Sequence, residues 1–159
     1  MADDGTRKLG PGTLKIGATA SAIDVSCLIN NAVIAASKDQ GDSTTKLCGT
    51  VKPGATNYTY TIAGNIDTDA GIATGFFALS QSAPGTEQDF VFTPHDPDGT
   101  GAATGTTASG KCVIDPLDFG GDTMGETMVS DFEFAIVGKP TYAYETPDPG
   151  ALADDEAVA

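Results

Sequence analysis

The chain has no tryptophan, a single histidine (His95), and only eight Lys and Arg against 22 Asp and Glu. A formal net charge of −14 repels phosphate backbones, which excludes ordinary nucleic-acid binding by phosphate neutralisation. It disfavours docking on anionic membranes for the same reason. No stretch approaches the ~20 apolar residues of a membrane span. The start, Met1-Ala2-Asp3-Asp4, lacks a basic segment leading into an apolar run, so no export signal is expected. Cys27, Cys48 and Cys112 are odd in number and widely spaced. That is no disulfide framework, and three free thiols suit assembly in a reducing cytoplasm. Cys27 and Cys112 fall in apolar strand patterns, where cysteine acts as a small hydrophobe.

Catalytic constellations are lacking as well. A hydrolase would need His95 beside a nucleophile and an orienting group, yet no nucleophile-elbow pattern surrounds any Ser or Cys. Asp96, Asp98 and Gly99 look like the opening of a calcium loop, but the twelfth position is Thr107 where a glutamate is required. Asp118-Phe119-Gly120 copies a kinase tripeptide without the glycine-rich and catalytic loops that give it meaning. Gly99, Gly101 and Gly105 have the wrong spacing for a dinucleotide fingerprint. Asn57-Tyr58-Thr59 is a glycosylation acceptor only in a secreted protein. The expectation is no enzyme, no cofactor and no metal.

What the chain does have is turn-prone residues, with twenty Gly and nine Pro among 159 residues and no repeat period. That composition predicts a mainly β fold of short strands joined by turns. The length suits one domain, placed at residues 13–144, with a flexible N-terminal arm over 1–12. Residues 145–159 hold five acids and no base and are expected to be disordered. Strands are predicted at Thr13–Gly17, Ile23–Ile29, Ala32–Ser37, Tyr58–Ile66, Asp89–Thr93 and Ala108–Ile114, with Asn30-Asn31 as a turn or bulge. Tyr142 and Tyr144 suggest a short extra pairing.

Helical spacing of Ile72, Phe76 and Leu79, with Phe77 beside them, predicts one flanking helix over Thr68–Ser82, capped by Asp67 or Thr68. Gly71 and Gly75 each cost it roughly 1 kcal/mol relative to Ala, so it needs tertiary contacts. Lys38–Asn57 reads as a long irregular loop with an apolar island at Leu47-Cys48. Pro94–Thr107 reads as a second, mobile loop.

The most telling stretch is Val113–Pro140, VIDPLDFGGDTMGETMVSDFEFAIVGKP. Met128, Phe132, Phe134 and Ile136 share one parity, and Thr127, Asp131, Glu133 and Lys139 the other. That is a strand with a dry face and a wet face, closed by Gly138-Lys139-Pro140. With GTLKIG (Gly12–Gly17), IDVSCLINNAVI (Ile23–Ile34) and the SKD, LCG and PGA elements of Ser37–Ala55, it resembles the major tail proteins of long-tailed (siphovirus) bacteriophages, especially phages of actinobacteria. The resemblance spans roughly residues 10–142 and rests on the order of these segments. It departs in having no Trp near Phe134, where a Phe fills the core slot.

The resemblance implies a β-sandwich or barrel tail-tube fold with one flanking helix and long loops. It implies six-membered rings whose strands join into a continuous barrel, stacked into a tube on a tape-measure protein. A tail tip complex lies at one end and a tail terminator at the other. Such a protein is a virion component assembled in the host cytoplasm, and its channel passes DNA without binding it.

On that reading Lys46, Leu47, Cys48 and Val51 are candidates for contact with the next ring, or else a surface loop. Ile72, Phe76, Phe77 and Leu79 are candidates for a subunit boundary, or else core packing. Asp131 and Glu133 face either the channel or outer solvent. The rival expectation is a secreted or cell-surface β-sandwich binding module, with calcium at Asp96 and Asp98.

Overall fold

The structure, a computed structural model, describes residues 11–18, 20–95 and 105–144. The acidic tail, most of the N-terminal arm, and Asp96 and Asp98 lie outside these. The architecture is mainly β with one short helix.

Among the described residues ten strands form in chain order: β1 Thr13–Ile16, β2 Ile23–Asp24, β3 Ile29–Gln40, β4 Thr44–Thr45, β5 Val51–Lys52, β6 Thr56–Asp67, β7 Glu87–Thr93, β8 Thr107–Val113, β9 Val129–Ile136 and β10 Thr141–Ala143. The helix α1, Phe76–Ser82, lies between β6 and β7. The main sheet runs β2-β1-β7-β8-β9-β6-β3, and β4 and β5 pair separately. All of these pairings are antiparallel.

One edge of β8 serves two strands. Cys112 and Val113 pair with Ile136 and Ala135 of β9. Thr107, Ala108 and Ser109 pair with β10. The chain turns between them at Val137–Pro140. This narrow junction joins β2-β1-β7-β8 to β9-β6-β3.

Both parts feed one core. Leu14, Ile16 and Phe90 come from one side, Ile62, Ile66, Phe132 and Phe134 from the other, and Phe76 from the helix. Each large apolar side chain buried in this way contributes roughly 1.5–3 kcal/mol. β9 alternates strictly between exposed and buried, so its period of two is the pattern the sequence shows. Ser130 occupies a buried position in the same row, and its hydroxyl accepts a hydrogen bond from the Asp118 amide at 3.0 Å.

Asn30-Asn31 is a bulge. The register between β3 and β6 shifts between Ile29 and Asn31. Opposite it, a Cβ on Gly64 would come within 2.0 Å of the Asn31 carbonyl oxygen. Only glycine permits that approach.

Three expectations are corrected. The helix begins at Phe76, not Thr68, because Gly71 and Gly75 weaken its first turns and Thr68–Gly75 is held instead as turns. The Ile23–Ile29 strand stops at Asp24, where Val25–Leu28 makes a tight turn with the Leu28 amide bonded to the Val25 carbonyl at 2.9 Å. Cys27 therefore stands exposed in that turn and fills no core position. Lys38–Asn57 is not wholly irregular: β3 runs into it as far as Gln40, β6 begins at Thr56, and β4 and β5 pair as a hairpin between them.

Candidate functional site

The β3–β6 ladder is longer than the body beneath it. β6 pairs with β9 only from Tyr60 to Asp67, whereas its pairing with β3 continues out to Gln40 and Thr56. Beyond Tyr60 the two strands form a free-standing ribbon in which nearly every residue is exposed. Gly41 and Gly54 cross at its end: the Gly41 amide bonds the Ala55 carbonyl at 2.8 Å. A Cβ on Gly54 would sit 2.0 Å from the Gly41 oxygen.

Past this joint, Thr44 and Thr45 pair with Lys52 and Val51. The Lys46 amide bonds the Thr50 carbonyl at 2.9 Å, and the Gly49 amide bonds the Lys46 carbonyl at 2.8 Å. This closed tip holds Leu47 out at 108% exposure. Lys46, Leu47, Cys48 and Val51 thus lie together on one ordered hairpin. The Cys48 sulfur is 3.2 Å from the Thr50 hydroxyl. Side-chain and then backbone hydrogen bonds from Thr50 hold its thiol below the ordinary value.

The opposite end of the same strands carries α1 and the loop before β9. Asp69 accepts hydrogen bonds from the Phe76 amide at 2.7 Å and the Phe77 amide at 2.8 Å, so the helix is capped by a side chain seven residues before its first residue. Gln81 Nε2 donates to the Leu117 carbonyl at 2.8 Å, and the Leu117 amide donates to the Ser80 hydroxyl at 3.3 Å. These bonds seat the loop on the helix. Phe77 stacks on Phe119 with ring centroids 5.6 Å apart, yet Phe119 remains 75% exposed. The rings line a shallow groove of about 510 Å³.

The four boundary candidates separate. Phe76 is buried against Phe134, with ring centroids 6.0 Å apart in an edge-on contact, so it belongs to its own core and not to a subunit surface. Leu79 is partly buried against the same core. Ile72 lies outside the helix and is exposed. Phe77 reaches the groove.

The wet face of β3, β6 and β9 is acidic. Register places Asp39 on β3, Asp67 on β6, and Asp131 and Glu133 on β9 on this side, among Ser37, Thr61, Ala63 and Ala135. Among its described strand residues there is no Lys or Arg. The Asn65 amide donates to Asp131 at 2.8 Å, and the Asn30 amide donates to Asn65 and to Asp67, each at 3.0 Å. The network ties three strands together and holds the Asp67 and Asp131 carboxylates.

His95 Nδ1 is buried without a hydrogen-bond partner among the described residues. No three His, Cys, Asp or Glu side chains among them converge as metal ligands. No helix among them is long and apolar enough to cross a membrane.

No protein-family model matches the chain, and neither does any curated protein. Solved structures do. The chain is similar to one in the tail of an empty gene transfer agent particle, resolved with helical refinement and C6 symmetry. The TM-score is 0.59 at 16% identity, over 87% of this chain and 99% of that one. It is also similar to one in the virion of a native gene transfer agent particle, with TM-score 0.52 at 15% identity over 82% and 95% of the two chains. The fold is shared with chains of gene transfer agent particles.

Sequence reasoning missed the groove. Phe119 stands in the Asp118-Phe119-Gly120 tripeptide, and an isolated aromatic in a Gly- and Asp-rich loop gives no periodic signal. The outer ends of the ribbon, 38–40 and 56–57, are hidden by their polar composition, since a strand exposed on both faces does not alternate.

Proposed function

We propose that this protein is the repeating subunit of a phage-type tail tube. Copies close into six-membered rings, the rings stack, and DNA passes through the hole. The observation that carries this reading is the fold likeness along nearly the whole length of a chain from a C6-symmetric tail.

Two features of the chain itself support it. β3 ends the main sheet and offers a twelve-residue edge whose outer backbone groups have no strand partner within the described chain. Long open edges call for pairing, and head-to-tail pairing with a closing rotation makes rings. The acidic wet face next to that edge then lines the channel, where Asp131 and Glu133 repel passing phosphates. A tape-measure protein fills the channel during assembly, and a tip complex and a terminator close the two ends. No step requires catalysis, and the site of action is the virion tail, assembled in the host cytoplasm.

Negative-stain micrographs of concentrated protein, and of particles containing it, test the reading. Annuli with six-fold symmetry and hollow cylinders are expected. Isolated globules in both samples overturn it.

A further inference from the structure

We propose that the β4–β5 hairpin of one copy docks into the Phe77–Phe119 groove of the next. This rests on the tube reading and names the surface that receives the arm. Three observations carry it.

The first is position. At about 3.3 Å per residue, the steps from Asp67 back to Thr56 along β6 put the ribbon end roughly 35 Å from the groove end of the strands. The β4–β5 hairpin is carried on that end, so it is placed away from its own groove. Its partner surface on an identical molecule is reached by translation along the strands, which is a head-to-tail contact.

The second is charge. The chain carries −14 overall, yet the tip Ser43–Pro53 holds Lys46 and Lys52 and no acid. The loop bearing Phe119 holds Asp115, Asp118, Asp122 and Glu126 and no base between 115 and 127. The most cationic exposed hairpin of an acidic protein thus matches the densest run of acids on its far end.

The third is shape and polarity. Leu47 projects fully exposed from a hydrogen-bonded turn. The groove is lined by Phe77, Pro116, Leu117 and Phe119 together with Gln81 and Asp118. Leu47 seats against the two rings, and the lysines meet the acidic rim. The loop approaches this contact already ordered, so little conformational freedom is lost on docking.

Disulfide trapping tests the contact. Cys48 lies beside Leu47 on the tip, and Asp118 lines the groove. In a Cys27→Ser background, Asp118→Cys under mild oxidation is expected to give a ladder of covalent multimers, trimers and above. Adding Cys48→Ser removes the ladder. Dimers alone, or no cross-link, overturn the proposal.

A charge exchange provides the second arm. Lys46→Glu with Lys52→Glu is expected to lower the yield of cylinders at least tenfold, and adding Asp118→Lys with Asp122→Lys is expected to restore it. Wild-type cylinders without a ladder or rescue refute the groove and leave the tube reading standing. A ladder from material that never shows annuli supports the groove and refutes the ring.

Discussion

Asp69 caps a helix it does not belong to: its carboxylate accepts the Phe76 amide hydrogen at 2.7 Å from seven residues upstream. The same carboxylate takes the Phe77 amide, so both oxygens are engaged, and a Cβ on Gly75 would come within 2.2 Å of one of them. Asp69→Ala is expected to cost about 1–2 kcal/mol, the range for losing a capping side chain. Chemical denaturation checks this through a lower midpoint at unchanged slope. Gly75→Ala displaces the carboxylate and should mimic the loss.

Phe134 joins β9 to α1 and to Phe132, whose ring centroid is 5.2 Å away. Phe134→Ala is expected to destabilise by about 3–5 kcal/mol, measured as the shift in denaturant midpoint.

Leu47→Asp makes the contrasting case. The residue touches nothing in its own fold, so stability should change by no more than about 0.5 kcal/mol. Cylinder formation should nevertheless stop, while rings or monomers remain folded. Normal cylinders by electron microscopy, with an unchanged melting curve, would remove the hairpin from assembly.

The thiols separate by environment. Burial, and then the Asp89 carboxylate, push Cys112 up to about 12, while Cys27 and Cys48 are exposed. In disassembled native protein an alkylating reagent should label Cys27 and Cys48 and spare Cys112 until unfolding. The shift also sets a pH dependence. The unfolded chain loses the Cys112 proton near pH 8.5 and the folded chain near 12, so the unfolded state binds fewer protons between them. Stability is full below that window and falls as pH rises through it. Cys112→Ala, compared with wild type by melting from pH 8 to 11, should flatten this part of the decline.

Asp131→Asn with Glu133→Gln tests the channel assignment. The Asn65 amide that bonds Asp131 can still find the carbonyl of an asparagine, so folding should persist. Slower DNA ejection from particles carrying the pair is expected, read as release of genome over time. Unchanged ejection would place the face on the outside.

Much of the body was legible because its strands have one wet and one dry face. β9 announces itself through Phe132, Phe134 and Ile136, and β6 through Tyr58, Tyr60 and Ile62. The helix was legible only in its second half. Ile72 fits the spacing of Phe76 and Leu79, but periodicity cannot weigh Gly71 and Gly75 against an aspartate that caps from outside. Cys27 matched a strand parity that the Val25–Leu28 turn interrupts. The hairpin candidates stand out as an apolar island in a polar stretch, whereas the outer ends of the ribbon that carries them, 38–40 and 56–57, do not, because an element solvated on both faces leaves no hydrophobic rhythm. The groove required tertiary placement, since Phe77 and Phe119 are distant in sequence.

The lysine-bearing hairpin and the acidic groove sit at opposite ends of β6. A stack built by inserting one into the other has a direction: its first layer shows empty sockets, its last shows bare prongs. No single lid suits both, so the finished object needs two chemically different stoppers, one cationic and protruding, the other anionic and receptive.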